Sequence, residues 1–590
     1  MSSESAVSLS LVTTKTEAAP LAIDVFLRYL KAEGVRYVFG IPGGLLHPLF
    51  EWLEEDAELD LIVSKHEEGA AFMADGYARV SGRLAVCAGT AGPGATNLMT
   101  GVSCAFADGV PMLVITGQAA SHALGRGAAQ ETAREDMDIV EMFRPVTKYS
   151  AMVTAPASLP RHLRRALRLA LSGRPGPVHL NVPVDLWEKP LEEDWFDPKT
   201  YRPETHTFDR HAVRESAELL LNASRPVLLA GSGVASARAR DHLIALAELL
   251  SARVATTPRA KGVFPESHPL SLGVLGVAGH RAARETILGD EVDVLLTLGA
   301  SLNETSTLNW HPSFCPSRAL IQCDIDAERI GRNYPVDVPL VGDVHNILTE
   351  LVYHLHRRIR EGAEVASSWP SAPELERGHA RFDDAELRQS DALPLKPQRW
   401  RCDLMEVLPR DAILFSDIGG HMLFNIHHLE VEHGQDFIIN LGFGSMGHGT
   451  AAPIGAALAQ PDRTVVAIVG DGCFTMNGME LLTASEYGIP VLWIVENNNM
   501  HGITFHASAR VGKHGRPLQS IRYERPIEVA SIARSMGMRA WVVDAPGRLQ
   551  RAVNEWLASR APGLIEVRVD GAIPPPMGGR VQSLSGFIRR

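Results

Sequence analysis

Short runs of β-branched and aliphatic residues alternate with longer amphipathic stretches along almost the whole chain, and this alternation narrows its fold more than any other feature. Arg36–Gly40, Leu61–Ser64, Leu84–Ala88, Met112–Thr116 and Val178–Val182 are such runs, and Glu68–Val80 is a helical pattern between two of them. Strands separated by helix-length segments cannot be joined as hairpins, so they lie parallel, and a parallel sheet needs cover on both faces. The expected class is α/β, built from doubly wound parallel sheets.

A chain of 590 residues exceeds what one hydrophobic core can organise. Two polar, proline-bearing segments, Glu188–Asp209 and Glu361–Leu395, break the alternation and read as linkers. They leave three α/β blocks, 20–188, 209–360 and 396–575. In the middle block, Val227–Gly233 and Asp293–Gly299 each read as a strand running into a glycine turn.

Acidic residues outnumber basic ones by 69 to 57 without long runs of either sign, which excludes a nucleic-acid surface. No apolar run reaches membrane-spanning length. The six cysteines show no CxxC pair, as expected of reduced thiols in a cytoplasmic protein. Met1–Pro20 lacks the apolar stretch of a signal peptide and reads as a frayed tail.

The sharpest chemistry lies in the third block. Thr464–Val469 reads as a buried strand ended by Gly470-Asp471-Gly472; a helical stretch Asn477–Tyr487 follows, then a strand Val491–Val495 and Asn497-Asn498-Asn499. In a doubly wound sheet both strand ends open into one crevice. Asp471 and Asn498, 27 residues apart, are thereby placed around one ion. A carboxylate with amide and carbonyl oxygens is a hard donor set that suits Mg²⁺, with phosphates completing its shell. Gly470 and Gly472 let backbone approach those phosphates. Ser416–His421 follows another strand, and Gly419 and His421 in it are expected to contact the diphosphate.

Gly470-Asp471-Gly472 through Asn497-Asn498 resembles the thiamine-diphosphate motif, and the chain as a whole resembles the acetolactate synthase family. The resemblance implies the order pyrimidine-binding, central, diphosphate-binding for the three blocks. It implies metal ligands at Asp471, Asn498 and the Met500 carbonyl, and it maps onto Glu67 the glutamate that exchanges a proton with the cofactor's aminopyrimidine. In Asn440–Gly449 it puts Met446 between the two cofactor rings and the Gly444 backbone on the aminopyrimidine amine. Ala88–Asn97 resembles the glycine-rich loop beside the pyrimidine, with Asn97 as a cofactor contact. Gln130 and Lys148 match residues near the reacting carbon. Because Glu67 and the metal site come from different subunits in that family, a homodimer or homotetramer with interfacial sites is implied.

Several substrate-facing positions depart from that pattern. Ala129 stands where a phenylalanine usually precedes Gln130; Ser301 stands in place of an arginine, and His506-Ala507 in place of a tryptophan. These changes remove an aromatic wall and a guanidinium fork. The central block binds FAD in acetolactate synthases; here FAD, an ADP-like ligand and an empty site all remain open. The expected function is decarboxylating carboligation from a 2-oxo acid, pyruvate foremost, to a carbonyl acceptor. The alternatives are a related lyase or acetyltransferase (of the sulfoacetaldehyde acetyltransferase, acyloin synthase or C–C hydrolase kind) and a catalytically silent regulatory paralogue.

Overall fold

The computed structural model describes residues 19–133, 137–192, 195–202, 207–370, 382–512 and 515–578. The expected tail therefore lies almost wholly outside the described residues, as do parts of both expected linkers. Eighteen strands make three six-stranded sheets, each parallel throughout. The first runs β1 (Tyr37–Ile41), β2 (Asp60–Val63), β3 (Ala85–Gly89), β4 (Met112–Gln118), β5 (Ser150–Met152) and β6 (Pro177–Pro183) in chain order, and β2-β1-β3-β4-β6-β5 across the sheet. The second holds β7 (Val227–Ala230), β8 (Arg253–Thr256), β9 (Ser271–Val274), β10 (Val294–Leu298), β11 (Ala319–Asp324) and β12 (Val338–Val341), ordered β12-β11-β10-β7-β8-β9. The third holds β13 (Ile413–Ser416), β14 (Asp436–Ile439), β15 (Val465–Gly470), β16 (Val491–Asn497), β17 (Arg539–Val543) and β18 (Gly563–Arg568), ordered β14-β13-β15-β16-β18-β17.

The first and third sheets thus share one winding order, whereas the central sheet has the reversed two-halved order of dinucleotide-binding folds. Crevices open where the order reverses: between β1 and β3, between β7 and β10, and between β13 and β15. The innermost strands β3, β4, β15 and β16 are buried at every position, which is why they read as continuous apolar runs.

The helix expected over Asn477–Tyr487 divides differently. One helix, Asp471–Asn477, begins directly at the end of β15, and a second covers Glu480–Tyr487. Starting the helix at Asp471 keeps its carboxylate at the sheet edge.

The outer two domains share a hydrophobic core. Helix Glu67–Ser81 of the first crosses helix His448–Ala459 of the third so closely that a Cβ on Gly76 would stand 1.9 Å from the Ala452 carbonyl oxygen, and one on Gly455 1.8 Å from that of Met73. Only glycine permits that backbone approach. No helix among the described residues is long and apolar enough to cross a membrane.

Candidate active site

The crevice of the third sheet gathers the residues that the motif pointed to. Asp471, 3% exposed, receives the Gly472 N–H at 2.7 Å on one oxygen and the Asn498 N–H at 3.1 Å on the other. Asn499 adopts the left-handed conformation (φ +55°), turning the chain so that the Met500 N–H meets Asn498 Oδ1 at 3.1 Å. The peptides flanking Met500 bond to Ile521 and Tyr523, so neither of those bonds uses the Met500 carbonyl. Asp471, Asn498 and Met500 are thereby linked by hydrogen bonds at the ends of β15 and β16. Burial pushes the Asp471 carboxyl up to about 7 despite the backbone N–H groups around it. A buried carboxylate held only by backbone donors, beside an amide oxygen and a carbonyl, fits a hard divalent cation. Among the described residues no group of three His, Cys, Asp or Glu side chains could hold a metal.

Glycines clear the space around it. A Cβ on Gly472 would lie 2.8 Å from His501 Nδ1 and 3.0 Å from the Tyr523 hydroxyl. Cβ atoms on Gly419 and Gly470 would both strike the His421 ring. That ring is buried, bonds to the Asp417 backbone, and leaves Nε2 without a protein partner. Burial, with Arg401 nearby, lowers His421 to about 3, so it is neutral at physiological pH.

The loop Asn440–Gly447 hangs beside this crevice. Asp417 Oδ2 accepts the Gly447 N–H at 3.0 Å, and Gly447 takes φ +89°. Burial pushes the Asp417 carboxyl up to about 6. Met446 packs half-buried against the shared core, while Gly444 (φ +79°) has open space over its Cα. Asp417 lies in the Ser416–His421 segment expected at the diphosphate, yet its carboxylate holds the loop.

In the first domain, Glu67 opens helix Glu67–Ser81 and is 9% exposed. Asn97 donates its amide to Glu67 Oε2 at 3.0 Å, and a Cβ on Gly94 would lie 3.3 Å from Oε1. Gln130 (φ +59°) lies over Gly92 of the same loop, 3.4 Å from its Cβ position. Glu67, Asn97 and Gln130 thus share the crevice beside β3. Lys148 does not join them. Its backbone bonds to Pro177, at the start of β6, and its ammonium donates to the Ser172 and Arg174 carbonyls at 2.7 and 2.8 Å, at the opposite edge of the sheet.

Two buried groups make pairings that no local motif announces. Glu480 accepts the Lys65 and His66 N–H groups and so sets the approach to Glu67 from the third domain. His448 meets Asp75 across the same interface at 2.7 Å. Their partners are hundreds of residues away, and neither pairing follows a local motif.

A separate cavity of about 280 Å³ opens at the central crevice, between the first and second domains. Gly233, Gly299 and Ser301 line it from the strand ends, and Arg174, Arg259 and Arg329 crowd its wall. Asp324 and Asp343 face it from the far strands. Guanidinium groups beside carboxylates at such a reversal point suit a ligand with phosphates and ribose hydroxyls.

Comparison with known proteins matches residues 22–142 to the thiamine pyrophosphate enzyme N-terminal TPP binding domain, 213–351 to the central domain and 417–567 to the C-terminal TPP binding domain. The chain is 34% identical over 584 residues to a probable acetolactate synthase large subunit of Methanocaldococcus jannaschii, covering 96% of this chain and 95% of that one. It is 31% identical over 559 residues to acetolactate synthase isozyme 1 large subunit of Escherichia coli, covering 95% of each. It is 36% identical over 478 residues to an acetolactate synthase large subunit of Corynebacterium glutamicum, covering 80% of this chain and 74% of that one.

Proposed function

We propose, for a chain that belongs to the acetolactate synthase family of thiamine pyrophosphate enzymes and is a carboligase of that kind, that pyruvate is the donor and that the acceptor is an aldehyde or a bulkier ketone. The observation that carries the cofactor assignment is the linking of Asp471, Asn498 and Met500 at the third crevice, with Glu67 and Asn97 at the matching crevice of the first domain.

Asp471, Asn498 and the Met500 carbonyl would hold Mg²⁺, and through it the cofactor's diphosphate, with the unpartnered His421 Nε2 beside them. When bound, thiamine diphosphate supplies the nucleophilic carbon that takes the 2-oxo acid and keeps the electron pair left as CO₂ departs. Glu67, fixed by Asn97, holds and returns a proton at the pyrimidine ring nitrogen. The Asn440–Gly447 loop presents the Gly444 backbone and Met446 to the cofactor's rings. Gln130 stands where the 2-oxo acid would be oriented.

The wider acceptor pocket rests on two side chains. Ala129 is exposed and small, and His506 Nε2 is occupied by the Gly571 carbonyl at 3.1 Å. Neither offers a cationic fork to a second carboxylate, so an aldehyde or larger ketone is favoured. Ser301 lines the central cavity instead. The central cavity takes a nucleotide diphosphate, FAD or ADP, on Arg174, Arg259 and Arg329.

The two outer domains of one chain meet those of a second copy in an obligate homodimer. Phe443, Met476 and Met479, 52%, 54% and 58% exposed, lie in or beside the crevice segments and would be covered there. The test is native mass spectrometry of the purified protein followed by CO₂ release from pyruvate with a panel of aldehydes, ketones and 2-oxo acids. A protein that carries thiamine diphosphate yet releases no CO₂ from any 2-oxo acid would overturn the carboligase reading. Preference for pyruvate as its own acceptor would overturn the pocket reading.

A further inference from the structure

We infer that His448 is a positioning residue: its bond to Asp75 of the first domain holds the Asn440–Gly447 loop in the shape that receives the cofactor. The inference rests on the assignment of that loop to thiamine diphosphate given above.

His448 is the first residue of helix His448–Ala459 and follows the loop directly, two residues after Met446. Its side chain is fully buried, edge-on to Phe72 with ring centroids 5.3 Å apart. Nε2 meets Asp75 Oδ1 at 2.7 Å, while Nδ1 has no partner among the described residues. The Asp75 bond is therefore the polar tie that fixes this ring. A buried imidazole with a single bond has its orientation set by that bond, and a fully buried charged acceptor makes the bond strong.

The acceptor is itself held. Arg79 forks onto the Asp75 carboxylate and reaches Asp108 Oδ2 at 2.8 Å; Asp108 Oδ1 meets Arg259 at 3.0 Å. The same Asp108 oxygen packs closely against the other end of the loop, where a Cβ on Gly442 would lie 2.0 Å from it. Gly442 and His448 thus bracket the loop, and both rest on one line of buried charges that belongs to the first domain. Asp417 supplies the third fixed point from the loop's own domain through Gly447. Between these supports lie Gly444 and Met446. Loss of the His448 anchor frees the end nearest Met446, and ordering it again on binding costs cofactor affinity.

The test compares wild type with His448→Phe, His448→Gln and Asp75→Asn. His448→Phe keeps the ring's bulk without a donor; His448→Gln restores a donor. Thiamine diphosphate with saturating Mg²⁺ is titrated by quenching of intrinsic tryptophan fluorescence, and melting is followed in parallel. His448→Phe is expected to weaken cofactor binding on the order of tenfold, with the KM for the 2-oxo acid unchanged. His448→Gln recovers most of the loss, and Asp75→Asn moves in the same direction as His448→Phe. Wild-type affinity in both folded His448→Phe and folded Asp75→Asn overturns the inference. So does equal impairment of Phe and Gln, which would mark a packing role alone. Failure of wild type itself to bind the cofactor would instead sink the functional reading on which this inference stands.

Discussion

Glu67 and Glu68, adjacent in the first turn of one helix, look toward different domains: Glu67 accepts the Asn97 amide of its own domain at 3.0 Å, and Glu68 accepts the Asn477 amide of the third domain at 3.2 Å. Neighbours on a helix point about 100° apart, so one turn serves two purposes. Glu68 joins the two outer domains within the chain, and Glu67 is left facing the crevice beside β3.

Glu67→Gln should keep thiamine-diphosphate affinity within a few-fold while slowing exchange of the cofactor's C2 proton by roughly 10²- to 10⁴-fold, the usual contribution of a positioned base. Acid-quench NMR of the exchanging proton measures this directly. An exchange rate equal to wild type would remove Glu67 from the proton path.

Asp471→Ala should abolish Mg²⁺-dependent binding of thiamine diphosphate, because it deletes the carboxylate that meets Asn498 at the cation position. Isothermal titration in the presence and absence of Mg²⁺ reports the result. Undiminished Mg²⁺-dependent affinity would mean that the cation sits elsewhere.

Mixing inactive Glu67→Gln and Asp471→Ala chains, unfolding and refolding them together, should restore about a quarter of wild-type activity if each site draws one residue from each subunit of a twofold dimer. Random pairing makes half the dimers mixed, and each mixed dimer has one intact site. Zero recovery, with mixed dimers confirmed by mass spectrometry, would place both residues of a site in one chain.

Asp417 gives a pH signature. Its folded carboxyl lies near 6, raised by burial above an ordinary 3.8, so the folded state holds the proton more tightly than the unfolded chain. Its contribution to stability is complete below the unfolded value and is lost as pH rises through about 6. Asp417→Asn, which stays neutral, should therefore gain on wild type by about 1 °C in Tm between pH 5 and pH 7.5. A difference in Tm between the two proteins that does not change with pH would contradict the buried, proton-holding role.

Gly455→Ala should destabilise the protein by about 1–3 kcal/mol, the cost of forcing atoms into a packed interior. Its Cβ would have to displace the Met73 carbonyl oxygen 1.8 Å away. Chemical denaturation would show it, and an unchanged midpoint would mean that the crossing is looser than drawn.

Much of this architecture is legible in the sequence because its signals are local. The fully buried strands announce themselves as apolar runs, and Gly470-Asp471-Gly472 with Asn497-Asn498 sits at two adjacent strand ends. The order of strands across a sheet is not local, so nothing in Val227–Gly233 revealed that the central sheet reverses at β7 and β10. The break after Asn477 went unread because the apolar pattern continues across Gly478 and Met479. Asp75 and His448 are each unremarkable residues in sequence; only the helix crossing brings them together. Lys148 matched by its neighbours in the chain, yet its place just before β5, bonded to Pro177 at the start of β6, sets its ammonium among the Ser172 and Arg174 carbonyls.

The helix crossing at Gly76 against Ala452 and Gly455 against Met73, where two helices touch main chain to main chain, leaves the outer halves of the molecule no freedom to slide past each other. Substrate admission and product escape therefore fall to the surface loops. Attempts to broaden the reaction by engineering should begin there, because a change at the crossing would alter the frame before it altered the chemistry.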